Sequence, residues 1–438
     1  MDDTMVPSAP MISLVVSAVA LMLISGGAFA AAPAASTDED GATAEQQHHM
    51  GMSAALGAYP MTREASGTAW QPDSSVHGGV HIEAGEWMVM SHARLNAVYD
   101  RQQGPRGDDK TFAAGMVMSE ATRALASEDV VRIRAMLSPD PLMGASGYPL
   151  LLATGETANG RDPLIDHQHP HNLVMELSGS FSHPLGSEDN AYLYAGLPGE
   201  PACGPPAFMH RLSILDSPEA PISHHWLDST HITNGVVTLG YVHSIFKLEA
   251  SRFHGREPDQ YRYRIEPGPL DSTAARFSWN PAQTLSLQVS WARQISPEQL
   301  APREDETRSS ASAIYTEPLG ANRYWSTTAA YGYRHGSSGP RLWAYLIESA
   351  VKPTDLWTIF ARFERETNNE LTDFGGQSSP VYVVAKASVG AIHDWRISEH
   401  LQVGLGALYA FNFLPSSLTP LYGHDPAGMM AFARLKVE

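Results

Sequence analysis

Apolar and polar residues alternate with a period of two along most of this chain from Trp87 onward. In Trp87–Tyr99 the odd positions are Trp87, Val89, Ser91, Ala93, Leu95, Ala97 and Tyr99. The even ones include Met88, Met90, His92, Arg94, Asn96 and Asp100. Successive side chains of a strand point to opposite faces. One face is therefore apolar with an aromatic at each end, and the other is largely polar. The pattern returns in Leu285–Trp291, Trp357–Phe363, Leu401–Phe413 and Ala431–Val437. About sixteen such segments can be marked, the dyad signature of lipid-facing strands with interfacial girdles. After residue 30 no window holds the about 18 consecutive apolar residues that a helical span needs.

The connections carry a second signal. Those at 124–128, 184–189, 243–244, 280–283, 352–354 and 394–399 are short, and they interleave with longer ones at 101–110, 139–170, 198–229, 255–270, 294–307 and 365–380. Long loops on one side and short turns on the other are expected of bacterial outer-membrane barrels. The expectation is an all-β, transmembrane antiparallel up-and-down β-barrel of about 16 strands, within bounds of about 12–18. Inward Arg132, Arg134, Lys247, Glu249, Arg276, Arg362 and Glu364 fit a hydrated lumen in which mixed charges pair. A soluble all-β repeat protein would share the alternation, but a propeller needs a repeat of roughly 40–50 residues, and none is found.

Three regions follow. Residues 1–31 read as a signal peptide: an apolar core from Ile12 leads to small residues ending at Ala30. Asp2 and Asp3 depart from a basic n-region, which leaves a retained helical anchor as the alternative. Residues 32–79 read as a flexible periplasmic tail or linker, and 80–438 as the outer-membrane barrel with long loops 139–170 and 198–229, two loops that are expected to fold over or into the lumen. The net charge of -18 and pI near 5.4 exclude nucleic acid as a partner. One cysteine allows no intramolecular disulfide framework.

Chemistry concentrates between Asp162 and Thr233, which hold eight of the 19 histidines. That density points to transition metals, which imidazole, carboxylate and soft sulfur bind. His167, His169 and His171 alternate and share one face if extended. His210 and the pair His224-His225 lie in the next loop on the same side, and His231 follows. Two loops over one mouth make a joint site geometrically easy. Asp166 and Asp228 are candidate ligands or partners that orient the imidazoles. Histidines that fill space or line a pore are the plainer reading of the same residues. In the tail, His48, His49, Met50 and Met52 join imidazole to thioether, which suits copper, Cu(I) especially.

The leader, this His/Met-bearing tail and the alternating strands resemble the outer-membrane copper resistance protein B family. The resemblance covers the architecture from about residue 32 onward and, in motif, the cluster His48-His49-Met50-Gly51-Met52. It implies a role in copper tolerance, outer-membrane lipid around the barrel and a periplasmic efflux or copper-handling partner. The expected function is passage or sequestration of small solutes, with copper (Cu(I) or Cu(II)) or zinc as the specific ion and no organic cofactor. Two alternatives stay open. One is a general porin-like or structural barrel without bound metal. The other is a metal-dependent enzyme using His167, His169 and His225 with Glu176 or Asp228 as general base. No nucleophile elbow, P-loop, dinucleotide fingerprint or HExxH supports the enzyme.

Overall fold

A computed structural model describes residues 54–76, 78–372 and 379–438. The signal peptide and the tail cluster His48, His49, Met50 and Met52 lie outside the described residues. Nineteen strands are present among the described residues. The first eight are β1 (Val80–Ala84), β2 (Trp87–Gln102), β3 (Asp109–Ala124), β4 (Val130–Leu137), β5 (Tyr148–Thr157), β6 (Pro163–Gln168), β7 (Val174–Pro184) and β8 (Asp189–Gly196). Next come β9 (Val236–His243), β10 (Phe246–Phe253), β11 (Ser272–Ala282), β12 (Leu285–Gln294), β13 (Glu306–Gly320) and β14 (Arg323–Gly336). Last are β15 (Arg341–Lys352), β16 (Trp357–Asn368), β17 (Tyr382–Arg396), β18 (Leu401–Phe413) and β19 (Ala427–Val437).

Sixteen of these strands, all except β1, β5 and β6, pair antiparallel with their neighbours and close through β19 and β2, with Val437 opposite Ala93 and Gly428 opposite Gln102. Closure leaves no strand edge unpaired in lipid, which is the condition for crossing a bilayer with strands. The outward positions are apolar: Leu239, Leu248, Ile347 and Leu405 are each exposed, with Trp291, Trp325, Trp357 and Trp395 among the exposed aromatics. No helix among the described residues is long and apolar enough to cross a membrane. The chain is an outer-membrane β-barrel. The connections on one side, from 125–129 to 397–400, are all short, and those on the other side are longer except for the four-residue turn 337–340.

The interior is not the hydrated lumen expected from its mixed charges, and the loops 139–170 and 198–229 fold into it as expected. Three inserted segments fill it. Residues 54–76, expected to belong to a flexible tail, fold in at the short-turn end, where Ser74 donates from its hydroxyl to Thr316 O (2.7 Å) and Arg63 donates to Ser244 O (2.8 Å). Leu56, Tyr59 and Trp70 pack there against Tyr192, Tyr194, Val242 and Phe253 of the wall. The hairpin β5–β6, missed as strands within loop 139–170, lies against inward Val98, Phe112, Phe360, Leu408 and Phe432 through Leu150, Leu151 and Leu152. The third insertion is the connection 197–235. Its carboxylates meet wall cations: Glu219 pairs with Arg362 (3.0 Å) and Lys386 (2.6 Å), and Asp216 pairs with Arg434. The seven inward charged residues singled out above are each 3% exposed or less. Alternation reports that a face avoids lipid; it does not report whether water or protein covers that face.

Breaking such a pair leaves an uncompensated buried charge, at a cost of about 3–5 kcal/mol. Arg434→Ala strips Asp216 of the inserted loop and Asp394 of the wall together. This variant should loosen the 197–235 insertion, raising single-channel conductance and protease cleavage of that loop above wild type. Unchanged values for both would show that the pair does not hold the insertion.

Candidate functional site

The insertion 197–235 turns on a single helical turn, α1 (His224–Leu227). Trp226 and Leu227 anchor it in a pocket of Ala330, Leu342, Ala344 and Leu346 on β14 and β15, and Arg334 lies 4.5 Å above the indole ring. Gly332 makes the docking possible: a Cβ there would stand 2.5 Å from the Trp226 carbonyl oxygen. Ser223 donates from both N–H (2.9 Å) and hydroxyl (2.6 Å) to Glu364 Oε1, fixing the start of the turn. With Trp226 on the wall, His224 and His225 are turned toward the segment that follows β6.

Five of the expected histidines meet there. Ring centroids of His171 and His231 lie 5.2 Å apart, His224 and His231 5.2 Å, His224 and His225 5.6 Å, and His169 and His225 5.6 Å. All five are buried. In three of them, His171, His224 and His231, Nδ1 is held by oxygen. His231 Nδ1 is 2.6 Å from the Asp228 carbonyl oxygen, which can only accept, so Nδ1 carries the proton there. His171 Nδ1 lies 2.7 Å from Asp140 Oδ2, and His224 Nδ1 lies 2.8 Å from Asp228 Oδ1. Among the described residues the buried Nε2 atoms of His171 and His231 have no hydrogen-bond partner. His169 Nε2 faces Glu156 Oε1 at 3.2 Å.

Asp228 thus orients two imidazoles while its Oδ2 accepts from Phe208 N–H (2.9 Å) and Arg211 (2.7 Å). Three other expected ligands lie apart from the cluster. Asp166 is held within its own hairpin and by a neighbouring loop, accepting from Leu152 N–H of β5 (2.8 Å) and pairing with Arg106 of the β2–β3 connection (3.2 Å). His167 ends β6 half-buried, its Nδ1 3.2 Å from Ile165 O, and makes no ring contact with the five. The alternation that puts it on one face with His169 ends with the strand at Gln168. His210 closes the turn Phe208–His210 and lines a different cavity with His92. Cys203 is buried in the core around Leu56 and Tyr59.

A carboxylate group completes the mouth. His225, Glu257 and Glu298 offer ligand atoms within 4.8 Å of one another. Neither nitrogen of His225 has a hydrogen-bond partner among the described residues, and Glu257 Oε2 has none either. Gly155 permits the close approach, since a Cβ there would lie 2.6 Å from His225 Nε2, at a φ of +102°. Desolvation and the neighbouring Glu257 charge push the Glu298 carboxyl well above the usual range. Glu298 and Glu156 also line a vestibule of about 490 Å³ on the long-loop side, with Glu304, Glu306 and Glu370. Glu156, Glu257, Glu298 and Asp140 escaped the sequence reading. All four sit in long connections over the same mouth, and that shared side was their one available signal.

No protein-family model matches the chain, and a comparison with curated proteins finds no match. Solved structures of the same fold do. OmpF of Salmonella typhi, in complex with daunomycin, superposes with a TM-score of 0.51 at 8% identity, covering 81% of this chain and 100% of that one. An anion-selective porin from Comamonas acidovorans gives 0.49 at 12% identity, over 80% and 100%. OprB of Pseudomonas putida gives 0.47 at 8%, over 80% and 94%. The likeness to OmpF is one of fold: this is a porin-like outer-membrane barrel.

Burial holds the imidazoles of His169 and His225 well below the usual histidine range, and that of His231 down at about 3. The folded state therefore keeps neutral rings, while an opened loop takes protons near pH 6.5. The cluster's contribution is complete above about pH 6.5 and is lost as pH falls below it, by about 1.4 kcal/mol per pH unit for each such histidine. Amide hydrogen exchange across His224–His231 should accelerate between pH 7.5 and 5.5. Equal protection at both values, corrected for intrinsic rates, would contradict the neutral buried cluster.

Proposed function

We propose that this barrel handles transition-metal ions, copper first and zinc second, at the buried imidazole cluster beneath its vestibule. The pattern of nitrogens carries the reading. Nδ1 of His171, His224 and His231 is engaged by oxygen, and Nε2 of His171 and His231 is buried with no partner among the described residues. Metal-ligating histidines are oriented in this way, the second nitrogen tied to a carboxylate or carbonyl. Burial keeps the imidazoles of His169, His225 and His231 neutral, the form that binds. The donor set fits copper or zinc, both of which accept imidazole with carboxylate.

Two further observations support an ion as the solute. Carboxylates around the vestibule, on a chain of net charge -18, concentrate cations at the mouth. The cavity that borders His169 and His171 is about 60 Å³, room for an ion and water. The general porin alternative requires the insertions to move aside. The enzyme alternative loses Glu176 as a base, because Ser178 and Tyr194 hydroxyls occupy its Oε1 at 2.6 and 3.0 Å. Capture of Cu(I) by His48, His49, Met50 and Met52, and delivery to or from a periplasmic copper-handling partner, belong to the same reading.

The test uses the full chain with His48→Ala and His49→Ala, so that the tail does not contribute. Exposed to Cu(II) or Zn(II) and washed, this protein should retain metal by mass spectrometry. Adding His171→Ala and His231→Ala should abolish retention, and Asp140→Asn alone should weaken affinity about 10- to 100-fold. No retained metal in the starting protein, or equal retention after the double change, would sink the reading.

A further inference from the structure

A second concentration of ligand atoms lies next to the histidine cluster, on side chains that are not among its proposed ligands. Seven of the 17 methionines converge there: Met90, Met116, Met118, Met136 and Met175 are buried together, with Met61 and Met209 packed on them. They come from four adjacent wall strands and from two of the inserted segments. Met118 and Met136 form a row across β3 and β4 that His92 extends onto β2, since His92 is opposite Met118 and Met118 is opposite Met136, while Met90 stands two residues from His92. The row continues onto β7 through a bulge. Register shifts between Met136 and Leu137, and both Met175 and Glu176 become buried where strict alternation would send one of them to lipid. A bulge re-aims a side chain in this way. Met61 arrives from the segment 54–76, and Met209 from the turn that also carries His210.

Small cavities thread this patch. One of about 40 Å³ is lined by Met61, Met90, Met118, His92 and His210. A second of about 60 Å³ is lined by Met116, Met209, His92 and His210. The cavity beside His171 shares Met116 and Met209 with it. The space is water-sized, bordered by methionine side chains and two imidazoles. Of the charged neighbours, Arg134 lies 2.9 Å from Glu120, Arg132 is paired to Glu64, and Arg94, which lines the second cavity, lies 3.7 Å from Glu438.

We propose that this patch is a separate binding site for a soft monovalent cation, Cu(I) or its analogue Ag(I). Thioether and imidazole are the ligands such ions prefer. Thioethers are neutral, so they do not offset a full second charge. The cost of burying an ion rises with the square of its charge, which favours a monovalent guest over a divalent one in this interior. Packing alone would be served as well by leucine, which matches methionine in volume but offers no ligand atom. The site differs from the histidine cluster in residues and in ion class, and each can fail without the other.

The experiment uses full-length protein in detergent carrying Met50→Leu and Met52→Leu, so that tail thioethers are silent, and Ag(I) in chloride-free buffer as the probe. Ag(I) should be retained after washing, and the ¹³C-methyl resonances of the luminal methionines should shift. Adding Met90→Leu, Met118→Leu and Met136→Leu should remove that retention, with heat-modifiable migration in gels confirming an intact barrel. Adding His171→Ala and His231→Ala instead should leave Ag(I) retention in place. Wild-type-like Ag(I) retention in the triple leucine variant, or methyl resonances that do not respond to Ag(I), would overturn the proposal and assign the patch to packing.

Discussion

Everything inside this barrel depends on the matching of wall cations with carboxylates on the inserted segments. Arg362 and Lys386 hold Glu219, Arg434 holds Asp216, Arg132 holds Glu64, and Arg211 of the insertion reaches Glu348 on the wall. Removing such ions from water costs several kcal/mol each, and only close pairing offsets it. Each pair therefore specifies a position as much as it stabilises one. The insertions are fixed in register against the wall, and the imidazoles they carry meet within ring-contact distance.

The sheet itself was legible in the sequence because lipid imposes a rule on it. Every one of the sixteen barrel strands falls on an alternating segment recognisable from residue type, and all but one of the short turns fall on one side. A bilayer tolerates neither an unpaired backbone edge nor a charged outward residue, so the pattern has few exceptions. The lumen imposes no comparable rule. Arg132 or Glu249 reads the same whether water or Glu64 and Arg276 stand opposite. For that reason nothing in the alternation of residue type separates the segment 54–76 from a tail, or the hairpin β5–β6 from a loop. Leu150–Leu152 on that hairpin was the available clue: three consecutive buried leucines in an extracellular loop need a surface to cover them.

The candidate site was legible in part for the same reason. Same-side loops could be paired from topology, and His169, His171, His224, His225 and His231 do meet. His167, His210 and Asp166 were grouped with them by chain proximity alone, and local backbone decided otherwise. His167 still belongs to a strand face, whereas Asp166, at φ +58°, is turned onto Arg106 and the Leu152 amide. The methionine row was invisible as a group because its members are spread from Met61 to Met209, and only strand register brings them together.

The segment 54–76 precedes the first strand in sequence, yet its anchors sit beside the turns near 283 and 316. The seam between β2 and β19 joins the two ends of the sheet around it. A sheet that zipped shut first would seal Arg132, Lys386 and Glu348 in a volume without the partners that the inserted segments bring, and threading a folded segment in afterwards would mean reopening the wall. Closing and filling are thus a single cooperative event. Its contacts span more than half the chain, so the barrel gains most of its stability only when its last strand arrives. Assembly of this protein is all-or-none at the seam, and a chain halted before β19 would expose an unmatched charged trough rather than a partial pore.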